Sequence, residues 1–316
     1  MATTELPTGT PASAPAPPRP LSPARRRLRR RERGLAYLLL IPSLVVFGVF
    51  VFWPLVHNVY LGFFRNPPFP GLPKHYVGFD QYREVLGSQT FFDSVKTTFL
   101  FAILTVPAGI ALGLGLAVLA HQQLRGIGIY RTLFSSTVAT SVAVAAVVFG
   151  TLMNPSVGLL PWLGLTTNPT ILQNPTWALV AVAVVTVWQT LGLTFILMAS
   201  GLQSVPDELF EAAKVDGAGA WSRFWHVTLP MMSPTIFFAV VIGTIFAFQS
   251  FGQIDILTQG GPLKKTNVLT YYIYDTLQRQ SDPGKAAVLA VALFFLTLIL
   301  ALLQIRLLER RVSYER

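Results

Sequence analysis

Cysteine is absent from all 316 residues, which excludes a disulfide framework, a thiolate metal cluster and a catalytic thiol. Charge is nearly as scarce. Only 12% of residues are Asp, Glu, Lys or Arg against 52% hydrophobic, too little to cover a soluble chain of this length, and the chain therefore belongs in a membrane. From Thr132 to Pro206 not one residue is charged. No G-x-x-x-x-G-K-[ST] phosphate loop occurs, since Gly284-Lys285 is followed by Ala286 and lacks the earlier glycine. Any ATP-driven step must draw its nucleotide from another chain. Carboxylates are missing from the interior of the apolar runs, Asp255 lying at the outer edge of the fifth. That argues against proton coupling, which relies on an ionisable group at mid-membrane, although sodium held by backbone carbonyls stays open. The formal charge of +10 invites a nucleic-acid reading. The positive residues flank apolar runs instead of alternating with stacking aromatics, so topology accounts for them and no nucleic-acid partner is expected.

What is there is a succession of apolar runs. Residues 1–33 form a Pro/Ala-rich tail ending in Arg25, Arg26, Arg27, Arg29, Arg30, Arg31 and Arg33, expected to be disordered and to touch anionic lipid from the cytoplasm. The uncharged run from Leu35 to Val56 exceeds the length of a signal-peptide core and has no Ala-x-Ala site after it, which favours a retained helix. Residues 34–90 are thus a first span and an external loop opening on Pro67, Pro68, Pro70, Gly71 and Pro73. Further runs cover Thr97–Ala120, the stretch from Thr132 to about 153, Trp177–Gly201, Pro230–Ile254 and Ala286–Ile305, within a core of 91–308. Asn154-Pro155, Asn168-Pro169 and Asn174-Pro175 mark a turn-rich external connection. The fold expected is an all-α membrane protein of six transmembrane helices, with the N-terminus and the 309–316 tail cytoplasmic. Of the 24 Lys and Arg, 16 fall on the expected inner side and 8 outside, in line with the positive-inside rule.

One polar stretch, 203–230, interrupts the apolar pattern. Ser204-Val205-Pro206-Asp207 reads as a helix start with a hydroxyl cap and a proline in the first turn. Gly217 is free to take φ > 0 and turn the chain. Beyond it Trp221, Phe224, Trp225 and Thr228 fall at helical spacing on one side of a second short helix, suited to lie against the bilayer surface. Each arm is shorter than the roughly 12 residues an isolated helix needs in water, so something must hold it. Ala212, Ala213, Ala218, Gly219 and Ala220 permit close approach of a second surface, and Asp207, Glu208 and Glu211 offer charge to an arginine-bearing partner. The bland alternative is an ordinary connector between helices. His226 has no second ligand at useful spacing, and no metal site is expected.

Glu211-Ala212-Ala213, Asp216-Gly217-Ala218, Phe224, Val227, Leu229 and Pro230 resemble the EAA loop, E-A-A-x-x-D-G-A followed by x5-F-x2-[IV]-x-L-P, of the permease subunits of binding-protein-dependent ABC importers. Val77-Gly78-Phe79-Asp80-Gln81-Tyr82 is similar to a segment that sugar-type permeases carry after their first helix, with Gln81 for the usual Asn. Leu257-Thr258-Gln259-Gly260-Gly261-Pro262 resembles the L-T-x-G-G-P segment of carbohydrate and glycerol-phosphate permeases. Met153-Asn154-Pro155 and the ending Arg311-Val312-Ser313-Tyr314-Glu315 look closest to the glycerol-3-phosphate type. The resemblance implies the type-1 importer permease fold in the bacterial cytoplasmic (inner) membrane, and a loop that inserts into a groove of a separate ATPase. It implies as partners a second homologous permease, two ATPase subunits carrying ATP and Mg, an external solute-binding protein and a small sugar substrate. No cofactor is expected on this chain, which is a transport subunit and not an enzyme. An ion-coupled secondary transporter and a membrane scaffold are the rival readings.

The substrate route is sought among polar side chains in the apolar runs. Gln189 beside Trp188, and Gln249 and Gln253 beside Phe248 and Phe251, combine amide hydrogen bonding with aromatic faces, which together suit a sugar. The competing role for each amide is to join helices, worth about 1 kcal/mol. Gly260, Gly261 and Pro262 are candidate contacts in the external loop. Gly109, Gly113 and Gly115 are expected to serve close packing.

Overall fold

A computed structural model describes residues 37–66, 75–122, 126–164 and 170–308. The Arg-rich tail, the 67–73 cluster, Asn168-Pro169 and the 309–316 tail lie outside the described residues. The chain divides after Leu55 into two units, of which Val56–Arg316 holds everything after the first helix. That helix, α1, runs Tyr37–Leu61, crosses the division, and has none of its apolar window buried.

In the second unit a short antiparallel pair, β1 (Phe64–Arg65) and β2 (His75–Tyr76), sets Phe64 opposite Tyr76. It leads to α2 (Asp80–Leu86), where Glu84 pairs with Arg65 and, at 3.5 Å, with Lys285. Helix α3 (Gln89–His121) begins at Ser88, whose Oγ accepts from the Phe91 amide at 3.2 Å. It packs along α6 (Ala178–Gln203), half of whose apolar window is buried. Small residues bring the two backbones together. A Cβ on Gly113 would sit 2.7 Å from Thr194 Cγ2, whereas one on Gly109 or Gly115 would meet nothing within 4 Å. Of the three glycines expected to serve close packing, only Gly113 does so.

Among the described residues four helices are long and apolar enough to cross a membrane, α1, α3, α6 and α12 (Pro283–Leu308), and up to six if each of two bent pairs counts as one span. The first pair, α4 (Ile127–Ser136, extended by a 3-10 turn to Ala139) and α5 (Val142–Leu152), turns by 104°. The run from Thr132 to about 153, expected to hold one helix, is thus broken. Instead Ser141 starts a new helix, its Oγ accepting from the Val144 amide at 3.2 Å. The second pair, α8 (Ala220–Met231) and α9 (Ser233–Phe248), bends by 66°.

The run expected to continue to Ile254 stops at Phe248 and restarts as α10 (Gly252–Leu257). Phe251 leaves helical geometry (φ −136°, ψ −57°), and the Ser250 hydroxyl donates to Gln253 Oε1 at 3.3 Å, a local bond that competes with the helix ladder. The polar loop that follows folds inward. Thr266, Asn267, Val268 and Leu269 are buried, and α11 (Leu269–Tyr274) is tied to α3 by the Leu269 amide donating to Thr98 Oγ1 at 2.9 Å and Asn267 Nδ2 to Ser94 Oγ at 3.1 Å.

Replacing Gly113 by Val pushes a branched side chain into Thr194, and overpacking of this kind costs on the order of 1–3 kcal/mol. Thermal unfolding in detergent is expected to show a lowered midpoint for Gly113→Val and an unchanged one for Gly115→Ala; equal midpoints would contradict the packing described.

Candidate functional site

The polar stretch forms an elbow of two helices, α7 (Asp207–Val215) and α8. Asp207 and Glu208 in the first turn and Lys214 in the last suit the helix dipole. The start differs from expectation: Pro206 precedes the helix without a side-chain cap, and the Ser204 hydroxyl instead donates back to the Gly201 carbonyl at 2.7 Å, closing α6. At the far end Gly217 takes φ +76°. Its amide donates to Lys214 O at 3.0 Å and the Ala218 amide to Ala213 O at 2.9 Å, the paired bonds of a Schellman turn. Arg223 Nη1 then donates to Ala218 O at 2.7 Å, bracing the turn from α8.

The arms are held by the chain's own core. Val205 is buried, and Phe210, Phe224 and Leu229 pack on a cluster that includes Leu114, Phe195, Met198 and Leu202. Thr228 is buried and Trp221 and Trp225 are exposed, so the four residues expected on one side divide between two. A π turn over Phe224–Thr228 inserts one residue per turn and rotates the faces there. Glu211, Ala212, Asp216, Gly217 and Pro230 are exposed, with Ala213 and Ala218 half-buried. Val215 is 87% and Trp221 74% exposed. Among the described residues, Asp207, Glu208, Glu211, Lys214 and Asp216 enter no ion pair. His226 Nδ1 is spent on its own helix, 2.9 Å from Ser222 O. The elbow therefore presents unpaired acids, small residues and two bulky apolar side chains on a rigid mount.

A cavity of about 580 Å3 lies between α3, α6, α9, the start of α5 and the break after Phe248. Gln189, Gln249, Phe251 and Gln253 all line it. Trp188 and Phe248 do not. Adjacent residues on a helix point about 100° apart, so Trp188 turns to Phe149, at 5.1 Å between ring centroids, and Phe248 is buried in an edge contact with Phe99, also at 5.1 Å. Gln189 Nε2 donates to Thr140 O, a carbonyl released by the 104° bend, at 3.3 Å. Gln249 is exposed to the cavity and makes no side-chain hydrogen bond among the described residues.

The sequence reading passed over the threonines. Thr105, Thr186, Thr190 and Thr194 line the same cavity. Each donates its hydroxyl proton to the carbonyl four residues back, at 2.8, 2.9, 2.9 and 3.2 Å. Their oxygens are left as acceptors. The signal was the four-residue spacing of Thr186, Thr190 and Thr194 along one helix face. Among the described residues no charged side chain lines the cavity. In the Gly260-Gly261-Pro262 segment Gly260 is buried at φ +75°, and a Cβ there would lie 2.6 Å from Tyr271 Cε1. Gly261 O accepts from Thr266 Oγ1 at 2.6 Å. It is Leu263, Lys264 and Lys265 that protrude.

The family described as "Binding-protein-dependent transport system inner membrane component" matches residues 109–314. The "sn-glycerol-3-phosphate transport system permease protein UgpA" of Agrobacterium fabrum is 34% identical over 285 residues, covering 89% of this chain and 96% of that protein. Among solved structures, a bacterial ABC transporter involved in the import of the acidic polysaccharide alginate superposes with a TM-score of 0.77 at 22% identity, over 92% of this chain and 100% of that one. The alginate transporter in complex with its alginate pentasaccharide-bound periplasmic protein gives the same TM-score and identity, over 90% and 98%. These two likenesses establish a helical importer-permease fold. With the match spanning more than half of its length, this chain belongs to the family of binding-protein-dependent transport system inner membrane components.

Proposed function

We propose that this chain is one of two permease subunits of an ATP-driven sugar importer, coupled through its elbow to a separate ATPase. The observation that carries the reading is the elbow: apolar residues anchor its inner side, while Ala212 is exposed and Glu211 and Asp216 are exposed with no ion-pair partner among the described residues. Glu211 is the charged grip, Ala212, Ala213 and Ala218 the close-contact face, and Asp216-Gly217 the turn. Phe224, Leu229 and Pro230 link it to the bent helix behind. In this reading each bent pair is one span, the six spans leave both termini and the elbow on one common side, and that side is the cytoplasm. The assignment keeps a tail of 1–33, a first span and loop of 34–90, a core of 91–308 and a tail of 309–316.

The partners are a second, homologous permease, two ATPase chains holding ATP and Mg, and an external solute-binding protein. The alginate transporter, solved with its periplasmic protein, supports the last of these. Solute released outside enters the central cavity, where Gln189, Gln249 and Gln253 offer amides and the threonines offer acceptors to hydroxyl groups. A glycerol-3-phosphate-type solute is the second reading, favoured by the relative from Agrobacterium fabrum.

Two substitutions test these roles in the importer reconstituted with its partners. A side chain at Gly217 φ costs about 1–2 kcal/mol and more if β-branched, so Gly217→Val is expected to insert normally and hydrolyse ATP while uptake falls about tenfold. Gly217→Asn, which tolerates that geometry, should retain most uptake; full uptake by the Val variant would contradict the coupling role. Gln249→Leu removes an amide that holds no other residue. Uptake should fall by roughly tenfold, the worth of one hydrogen bond to solute, with the unfolding midpoint unchanged. An unaltered uptake rate would take Gln249 off the route.

A further inference from the structure

The 104° bend between α4 and α5 is made by two residues in extended geometry, Thr140 (φ −84°, ψ 123°) and Ser141 (φ −68°, ψ 152°). In a continuous helix the Thr140 carbonyl would accept from the Val144 amide. The Ser141 hydroxyl takes that amide instead, at 3.2 Å, and the carbonyl is left to a side chain of another helix, Gln189. A carbonyl without a donor is costly in so apolar a setting. The angle of the bend therefore depends on what fills that one acceptor.

Two residues on one face of α6, close to a helical turn apart, hold the bend, and their contacts differ. The Gly192 amide donates to Thr137 Oγ1 at 2.8 Å. A Cβ on Gly192 would lie 2.6 Å from the same oxygen and 2.9 Å from Ser135 O, so only glycine lets the two helices meet there. Gly192 is buried, and neither it nor Thr137 lines the central cavity. Gln189 does line it, and its bond to Thr140 O is longer, at 3.3 Å. Val138 and Val142 bring both sides of the hinge into the same wall. One contact is a closed pivot; the other is open to solute.

The two arms of the hinge lead to different places. On α4, Ile127 and Phe134 pack on the cluster that also holds Phe210, Phe224 and Leu229 of the elbow. The α5 arm fits against α10 instead: a Cβ on Gly252 would lie 2.8 Å from Val142 Cγ1, and one on Gly150 3.3 Å from Leu257 Cδ2. Gly252 and Gln253 of α10 are themselves part of the cavity wall. The hinge thus joins an elbow-side arm to a cavity-side arm.

We infer that Gln189 is a positioning residue that reports solute in the cavity to this hinge. A hydroxyl has both valences needed to enter between Gln189 and Thr140: its oxygen accepts from Nε2, and its proton goes to Thr140 O. The carbonyl stays paired, the two groups stand further apart, and α5 turns about the Gly192–Thr137 contact. The second of these hydrogen bonds forms only in the opened hinge, and that differential contact shifts the population. A group that only accepts, such as a carboxylate, would leave Thr140 O without a donor and gains nothing from opening. The inference rests on the proposed role of the central cavity as the solute's route.

Because the chain has no cysteine, spin labels can be placed at two exposed positions, Leu133→Cys on α4 and Val148→Cys on α5. The distance between them is read by pulsed electron paramagnetic resonance in the assembled, nucleotide-free importer in nanodiscs, its partner chains carrying no reactive thiol. Glycerol is the probe, and betaine, an acceptor without a hydroxyl, is the control at equal osmolality. Glycerol is expected to shift the distance and betaine to leave it. Gln189→Leu, which lacks the latch, should give the shifted distance with or without glycerol. Thr137→Val, which loses the pivot bond, should lower the unfolding midpoint yet keep the glycerol response. An unmoved distance with Gln189 intact overturns the inference, as does an equal response to betaine or an equal glycerol response in Gln189→Leu. Loss of the response in Thr137→Val would also overturn it, since the shift would then report general loosening. The measurement needs neither ATP nor uptake, so its failure leaves the importer reading standing; that reading fails on uptake.

Discussion

A backbone amide or carbonyl left unpaired in hydrocarbon costs several kcal/mol, and at the 104° bend, the end of α3 and the stop of α9 another segment takes up the freed group. Thr140 O, exposed by the 104° bend, accepts from Gln189. Across the same bend the Gly192 amide donates to Thr137 Oγ1 at 2.8 Å. Ala120 O, at the end of α3, accepts twice from Arg131, at 3.1 and 2.6 Å. Phe248 O, where α9 stops, accepts from Thr270 Oγ1 at 2.7 Å. The 104° bend is therefore a built feature, with partners on α6.

The same breaks shape the functional surfaces. The central cavity is bounded by the 104° bend on one side and by the Gln249–Phe251 break on the other. Regular helices would fill that space with side chains at close packing. Gln189 carries both duties, lining the cavity and bonding the bend, so occupancy of the cavity and the angle of α4 to α5 share a residue. At the opposite end of α6 the elbow joins the core through Phe210, Phe224 and Leu229, and continues through the 66° bend into α9, which returns to the cavity wall. Packed contacts thus run from the elbow to the wall of the central cavity.

Much of the elbow was legible in the sequence, because its signals are local: a glycine needing φ > 0, small residues in a row, acids in a first turn. The bends were not. The stretch from Thr132 to Pro206 carries no charge, and hydropathy alone does not distinguish a straight apolar run from one broken at Thr140-Ser141. Trp188 and Phe248 were drawn toward the route by sequence neighbours, yet helical geometry turned them into the packing. The loop after Leu257 looked polar, and its polar side chains turn out to be spent on packing: Thr258 pairs with Thr266 and Asn267 with Ser94 of α3, which composition cannot reveal. Gly109 and Gly115 misled in the opposite sense, since a glycine in a helix is silent about whether anything lies opposite.

The central claim is that the elbow faces the cytoplasm and is gripped there by another chain. The absence of cysteine allows a direct measurement: Val215→Cys, at an exposed position on the elbow, gives this chain a single thiol for a membrane-impermeant maleimide. The account predicts no labelling of this chain in intact cells, rapid labelling in inside-out vesicles stripped of the ATPase, and protection when the ATPase is restored. Labelling of position 215 from the outside of intact cells would contradict it.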